Sequence, residues 1–174
     1  MIKNQIIPKY IKNTINENYI TIKTTGIMES KLAEKVDLLI NKYSNSFRFA
    51  FLPHYNGVSF RIKKLDNKMS LNRVKAEFFK EMQPYSYGIN NETLESILGK
   101  ILIHNKLTIA TAESCTGGLI GKRFTDTAGS SKYFLGSITA YNNRLKTSVL
   151  NVSKKTLEKY GSVSEEVALE MANK

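Results

Sequence analysis

Polar side chains that could do chemistry are concentrated in three short segments of the second half of the chain. The segments are Glu113-Ser114-Cys115-Thr116, Gly129-Ser130-Ser131 and Tyr141-Asn142-Asn143-Arg144-Leu145-Lys146. Each lies at a strand end or a turn, where side chains from different parts of a chain can converge. Their residue types suit attack by a hydroxyl or a thiol on a carbonyl carbon.

A serine in these segments needs a base, because its hydroxyl is a weak nucleophile until the proton is removed. The histidines, His54 and His104, lie in a turn and at a helix end, which disfavours a Ser-His-Asp triad. A Ser–Lys arrangement with Lys146 remains open, since a lysine removed from water gives up its proton more readily. Tyr141 could orient that lysine or relay a proton. Cys115 is the competing nucleophile, because a thiol at a helix N-terminus forms its thiolate more readily.

The segment from Thr108 to Ile120 has the pattern of a strand, a tight turn and a helix start. Such a turn leaves backbone N–H groups free at the beginning of the helix, a geometry that suits anionic ligands. The turn matches neither GxGxxG nor GxxxxGK[ST]. A ligand site and an ordinary strand-to-helix turn therefore both remain open.

Composition limits the class of protein. The 174 residues are enough for one ordinary domain or two small ones, and no apolar run approaches the roughly 18 residues of a membrane span. The first residues lack the apolar core of a signal peptide. One cysteine excludes an internal disulfide, and too few Cys and His residues are present for a structural zinc site. We therefore expect a cytoplasmic protein with no membrane partner and no metal.

The net charge of +11 has two interpretations. It could indicate binding to nucleic acid, or it could reflect a composition generally rich in lysine. Only five of the 26 cationic residues are arginine, and the lysines are scattered. Because phosphate recognition usually enriches arginine, the compositional interpretation is favoured. A non-catalytic nucleotide-binding or nucleic-acid-binding module stays as the alternative function.

The first half of the chain predicts a small α+β unit in the order β-α-β-β-α. Alternating β-branched residues indicate strands, an Asn56-Gly57 turn indicates a hairpin, and apolar residues at helical spacing indicate the helices. Residues 85–88 are predicted to be a linker. The strands are expected near 19–25, 47–52 and 58–62, and the helices near 28–43 and 71–82.

The second half predicts two strands and several helices. The strands are expected at 107–112 and within 133–141, with the clearest strand pattern at 138–141. Helices are expected at 94–105, 117–125, around 145–150, at 154–160, and after Ser164. A sheet of two strands cannot cover so many helices, so either residues 1–106 complete the sheet or the chain is a fragment.

Four motifs in register closely resemble the CinA family of competence/damage-inducible-type proteins. They are Ala112–Gly118 (AESCTGG), Gly129–Ser131, Tyr141–Lys146 and Tyr160–Glu166. The family's C-terminal domain is a nicotinamide-nucleotide amidase of the PncC type, and residues 19–87 resemble the KH-type domain that precedes it. The resemblance implies a remnant of a preceding segment at 1–17 and a KH-type α+β domain at 18–87. Residues 88–174 would then be the first part of a three-layer α/β/α amidase domain.

The resemblance also implies an activity and a set of site residues. The reaction is hydrolysis of nicotinamide mononucleotide to nicotinate mononucleotide and ammonia, without a cofactor. By position, Ser131 would be the nucleophile, Lys146 its base and Tyr141 an assisting residue, with Ser114 in the same pocket. Contacts to the substrate phosphate or ribose are expected from the turn that follows Ser114, at Thr116, Gly117 and Gly118.

This chain departs from the family pattern in several ways. Ser162 and Asn142 replace the usual alanine and serine, while Ser131 and Lys146 are kept. Nothing resembles the family's N-terminal pyrophosphatase domain, and the amidase domain normally continues beyond residue 174. We therefore expect a fragment with impaired or absent activity. The KH-type unit has no GxxG loop, which argues against nucleic acid as a partner. The family often associates through its amidase domain, so a homo-oligomer is expected.

Overall fold

The computed structural model describes residues 18–173 of the chain. The predicted remnant at 1–17 lies outside the described residues. The chain divides into two compact units, Met1–Thr93 and Leu94–Lys174. The domain boundary that the sequence predicts between residues 87 and 88 falls inside the last strand of the first unit.

The first unit contains an antiparallel sheet of four strands in the order β2-β3-β1-β4. The predicted β-α-β-β-α order is present, and the predicted linker is instead a fourth strand that pairs with β1. Four residues, one of them glycine, are too few to give a strand pattern, so this strand is defined by its pairing. The elements are β1 Tyr19–Thr24, α1 Glu29–Tyr43, β2 Phe47–His54, β3 Gly57–Lys64, α2 Leu71–Glu81 and β4 Ser86–Ile89.

The core of the first unit lies between one face of this sheet and the two helices. Alternate strand residues point to opposite faces, and those on the helix side are apolar. Phe60 of β3 lies 5.1 Å, between ring centroids, from Phe78 of α2, and both side chains are fully buried. Burying two such rings contributes roughly 1.5–3 kcal/mol each. This packing determines which residues of the strands face away from the helices.

The second unit contains both strands predicted for it. Its elements are α3 Leu94–His104, β5 Ile109–Glu113, α4 Leu119–Thr125, a 3₁₀ turn Ser130–Lys132, β6 Phe134–Thr139, α5 Asn143–Ser148, α6 Lys154–Tyr160 and α7 Glu165–Ala172. β6 begins before the segment with the clearest strand pattern, because it pairs with β5 from Phe134 onward. The strand ends at Thr139, and Ala140 is fully buried beyond it.

The two strands of the second unit are parallel, with Ile109 opposite Phe134 and Glu113 opposite Thr139. Their carboxyl ends therefore meet at one edge of the sheet. One apolar cluster at this edge includes Ala140, Leu150, Val152, Val167 and Met171. A second cluster near the amino ends includes Leu102, Phe124 and Tyr133. These clusters fix the segments that follow β5 and β6.

No helix in the described part of the chain is long and apolar enough to cross a membrane.

Candidate active site

Lys146 and Ser114 meet at the carboxyl edge of the second unit's sheet. Ser114 directly follows β5, and Lys146 lies in α5, which is separated from the end of β6 by three residues. Asn142 caps α5 by accepting the N–H of Arg144 at 2.9 Å. Asparagine caps helices as well as serine does, so its presence where the family has serine preserves the helix start. The start of α5 fixes the position of the lysine.

The ammonium of Lys146 donates to Ser114 Oγ at 2.8 Å and to the backbone oxygen of Tyr141 at 3.2 Å. The Lys146 side chain is 2% exposed, whereas Ser114 is half-buried. Within residues 18–173, no carboxylate lies within ion-pair distance of Lys146. A buried amine next to a reachable hydroxyl can accept the hydroxyl's proton when it is neutral, which is the arrangement of a Ser–Lys nucleophile.

Glu113 is a buried carboxylate that organises the turn after β5. Its side chain is 1% exposed. Burial alone raises the pKa of Glu113, but hydrogen bonds lower it to about 2. The four strongest donors are Ser137 Oγ at 2.7 Å, Gly121 N at 2.7 Å, Thr116 Oγ1 at 2.7 Å and Ile120 N at 3.0 Å. A carboxylate held in this way stays ionised and acts as a structural anchor.

The first backbone N–H groups of α4 are thus already bonded within the chain. Glu113 accepts those of Ile120 and Gly121, and the hydroxyl of Thr116 donates to the same carboxylate. Gly117 N–H bonds to Ser114 O at 3.0 Å. An anionic ligand was one possibility at the start of α4. In the structure the carboxylate of Glu113 accepts the N–H groups of Ile120 and Gly121 there. Substrate contacts by Thr116, Gly117 and Gly118 stay a prediction.

Two consecutive glycines allow the turn to bring Ser114 to this edge. Gly117 has a φ of 61° and Gly118 a φ of 96°, a left-handed region that other residues rarely adopt. A Cβ on Gly118 would also lie 3.2 Å from Thr139 Oγ1. Within the described residues, the backbone N–H groups of Cys115, Thr116 and Gly118 have no hydrogen-bond partner. These donors next to Ser114 are available to a bound group.

Ser131 lies at the other end of β6. It belongs to the 3₁₀ turn Ser130–Lys132, which precedes the strand, whereas Lys146 follows the strand. The five steps between the six residues of β6, at roughly 3.3 Å each, put its two ends about 16 Å apart. The partners of Lys146 Nζ among residues 18–173 are Ser114 Oγ and Tyr141 O, so the predicted pairing of Ser131 with Lys146 stays a prediction. Lys146 contacts Ser114. The residues alone left a Ser–Lys arrangement with Lys146 open, and the family resemblance placed Ser114 in the substrate pocket.

Tyr141 borders the pair through its backbone. Its side chain is 73% exposed, and its contact with Lys146 is made by the main-chain oxygen. Cys115 is exposed and free. In the described residues, no group of three or more His, Cys, Asp or Glu side chains could hold a metal ion.

Sequence reasoning missed the anchoring role of Glu113 and its partner Ser137. The signal was present in part, because an acidic residue that ends a strand before a helix start can accept the free N–H groups of that helix. Ser137 gave no signal, because its contact depends on β6 lying beside β5. The register of the two strands decides that contact.

The fold and site define the class of protein: a KH-type α+β unit followed by an α/β domain with a Ser–Lys pair at its sheet edge. Residues 20–84 match the profile of the damage-inducible protein CinA KH domain, and residues 91–174 match that of the CinA C-terminal domain. The chain belongs to the CinA family.

Relatives with curated descriptions agree with this membership. A CinA-like protein of Prochlorococcus marinus (strain MIT 9515) is 39% identical over 173 residues, covering 93% of this chain and 39% of the relative. One from Flavobacterium psychrophilum is 38% identical over 180 residues, covering 99% of this chain and 43% of the relative. The chain thus spans about two fifths of the length of these relatives.

Solved structures of CinA superfamily proteins are also similar to this chain. The competence-damaged protein (CinA) superfamily protein from Escherichia coli is 38% identical, with a TM-score of 0.45. The match covers 46% of each chain. A competence/damage inducible protein from Agrobacterium tumefaciens is 40% identical with a TM-score of 0.41, covering 44% of this chain and 48% of that one.

Proposed function

We propose that the second unit is an amidase that hydrolyses the carboxamide of nicotinamide mononucleotide, with Ser114 as nucleophile and Lys146 as its base. The single observation that carries the proposal is the 2.8 Å contact between Lys146 Nζ and Ser114 Oγ at a sheet edge. Membership of the CinA family supports the reaction class, and the family resemblance supports the choice of substrate. The nucleophile differs from the Ser131 that the sequence predicts.

The first half of the reaction forms an ester. Neutral Lys146 accepts the proton of Ser114 while Oγ attacks the carboxamide carbon, which gives a tetrahedral intermediate with a negatively charged oxygen. The free N–H groups of Cys115 and Thr116 are the candidate donors to that oxygen. Lys146 then returns the proton to the departing nitrogen, the C–N bond breaks, and ammonia leaves.

The second half uses water. Lys146, neutral again, accepts a proton from a water molecule that attacks the ester carbon. Collapse of the second intermediate breaks the bond to Ser114 Oγ, and Lys146 returns the proton to that oxygen. The net change is one amide and one water converted to one carboxylic acid and one ammonia, and no cofactor takes part.

Ammonia release from nicotinamide mononucleotide tests this proposal. Ser114→Ala and Lys146→Met are each expected to reduce the rate by about a thousandfold or more, because both act in the same step. Cys115→Ala is the matched control, since it alters the neighbouring nucleophile and is expected to keep the rate. Circular dichroism confirms that each variant is folded.

The roles of the two serines are separated by a further variant. Ser131→Ala is expected to keep most of the activity, because Ser131 lies at the far end of β6. Loss of ammonia release in Ser131→Ala with retention in Ser114→Ala would contradict the assignment and restore Ser131 as nucleophile.

A further inference from the structure

The sheet of the first unit has a second face, on the side opposite its two helices. Phe47, Phe49, Phe60 and Ile62 belong to the apolar cluster on the helix side. The residues that alternate with them along the strands therefore point the other way. Neither α1 nor α2 packs on that face, which we call the open face. It is formed by side chains of Tyr19, Thr21, Lys23, Arg48, Ala50, Leu52, Ser59, Arg61 and Lys63.

Cations occupy three adjacent rows of the open face. Strand register places Arg48 opposite Lys63 in the first row, Arg61 opposite Thr21 in the second, and Lys23 opposite Ser59 in the third. Lys23 donates to Ser59 Oγ at 3.2 Å, and Arg61 Nε lies 3.4 Å from Thr21 Oγ1. These contacts cover the two hydroxyl residues, each about 95% buried, and hold the cations against the sheet.

The positive charge of the open face is not neutralised within the described residues. None of Lys23, Arg48, Arg61 and Lys63 forms an ion pair there. The arginines are informative, since the chain has only five. Arg73 and Arg123 have carboxylate partners, Glu77 and Glu95. Two of the three arginines without such partners lie on this one face. A general richness in lysine does not account for this grouping of arginines.

The open face also carries a stacked Tyr19–Arg61 pair and a cleft. The guanidinium of Arg61 lies 4.6 Å above the ring centre of Tyr19. A cleft of about 370 Å³ is lined by Lys23, Arg61, His54 and neighbouring residues, and no carboxylate lines it among residues 18–173. His54 Nε2 is buried at this cleft and has no hydrogen-bond partner in the described part of the chain. Bases stack on both aromatic rings and guanidinium planes.

We propose that the open face binds single-stranded nucleic acid. The phosphates of an extended strand pair with the rows of cations, and an unstacked base packs against the Tyr19–Arg61 pair. A sheet face that carries cations on three adjacent rows suits an extended polyanion better than a single small anion. The first unit has no GxxG loop, the usual nucleic-acid-binding element of KH domains, and the open face would bind a strand without one.

Fluorescence anisotropy with a labelled 12-nucleotide oligouridylate tests the proposal on the whole chain. The Arg48→Gln, Lys63→Gln double variant removes two exposed cations of the open face. It is expected to weaken binding about tenfold or more at low salt and to reduce the slope of log K against log salt by about 1.4, since each lost phosphate contact in a single strand changes it by about 0.7. Lys31→Gln, Lys35→Gln in α1 is the control with the same change in charge, and it should retain affinity and slope.

A second variant separates stacking from charge. Tyr19→Leu is expected to weaken binding several-fold while leaving the salt slope unchanged, because no charge is lost. Thermal unfolding by circular dichroism verifies that each variant is folded.

Several results would overturn the proposal. They are absence of binding at low salt, and equal weakening by the open-face and α1 variants, which would indicate only attraction to the net charge. Displacement of the oligonucleotide by inorganic phosphate at matched ionic strength would indicate a small-anion site instead. Tighter binding to a duplex of the same length, or to vesicles rich in phosphatidylserine, would assign the face to a different partner.

Discussion

Lys146 is a buried amine whose hydrogen-bond partners among residues 18–173 are two oxygens without formal charge. Removing an ammonium from water without a carboxylate partner costs several kcal/mol. Buried ionisable groups without an oppositely charged partner are common at reactive sites. The hydroxyl of Ser114 lies 2.8 Å from Lys146 Nζ, which places the amine where it can accept the hydroxyl proton. The contrast with Glu113 is informative, because that buried charge is surrounded by donors.

Glu113→Gln is expected to lower the free energy of unfolding by about 2–3 kcal/mol at neutral pH, as measured by urea denaturation. An amide keeps one acceptor oxygen and turns an NH₂ group toward donors, so buried N–H and O–H groups lose their partner. Glu165→Gln is the control, because it makes the same change at an exposed carboxylate of α7. It should change stability by less than about 0.5 kcal/mol.

The cost of Glu113→Gln should also depend on pH. Folding lowers the pKa of Glu113 from 4.5 to about 2. The stability it contributes is therefore fully present above about pH 4.5 and is lost as the pH falls through about 2. The difference between wild type and variant should shrink across this window. A difference that stays constant down to the lowest pH at which both proteins fold would argue against the anchoring role.

Residue-level sequence reasoning identified the three polar segments, and its pairing of Ser131 with Lys146 stays a prediction. Ser114, Ser131 and Lys146 were all identified from residue type and motif. The motifs do not indicate how far apart these three side chains lie in the fold. The Lys146–Ser114 contact follows from two strands being parallel and in one register, since this brings their carboxyl ends together. Motif order along the chain is the same whether Ser131 or Ser114 meets the lysine.

At the scale of elements, the close approach of α4 to β6 holds the site together. Gly121 makes this approach possible, because a Cβ there would lie 2.7 Å from Ser137 Cβ and 3.2 Å from Glu113 Oε1. Any side chain on Gly121 therefore pushes α4 away from β6. The same movement would stretch the bonds from Ser137 and Gly121 to Glu113.

Gly121→Ala is expected to destabilise the protein by about 1–3 kcal/mol, in spite of alanine's better helix propensity. Because the clash acts on the Glu113 hydrogen bonds, the costs of Gly121→Ala and Glu113→Gln should be less than additive in the double variant. Urea denaturation of the wild type, the two single variants and the double variant measures this double-mutant cycle. Full additivity would mean that α4 moves without affecting the carboxylate.

Elements with strong periodicity were predictable, whereas those defined by pairing were not. The hydrophobic pattern located α1, α2 and the β2–β3 hairpin, and Ser164 was expected to open α7, where it accepts the N–H of Val167. Ser70 and Ser153 directly precede α2 and α6, but their side chains make no capping bond. β4 escaped detection, since four residues carry little pattern and its identity depends on β1.

For the whole molecule, the sequence indicated the family and the order of the two units. Both CinA profiles match in that order, and the mixed α/β fold agrees with the prediction. Composition could not indicate where the charge lies, because the grouping of arginines on the open face depends on strand register. Association of the chain into a homo-oligomer stays a prediction.

Activation of Ser114 by Lys146 is the step on which the proposed reaction depends. A fluorophosphonate probe tests it directly, because such a probe reacts with an activated serine and does not require a complete substrate pocket. Mass spectrometry of the digested protein then identifies the modified residue. We predict labelling of Ser114 that Lys146→Met abolishes and Cys115→Ala preserves. Labelling of Ser131 or Cys115 instead, or labelling of Ser114 that persists in Lys146→Met, would contradict the account.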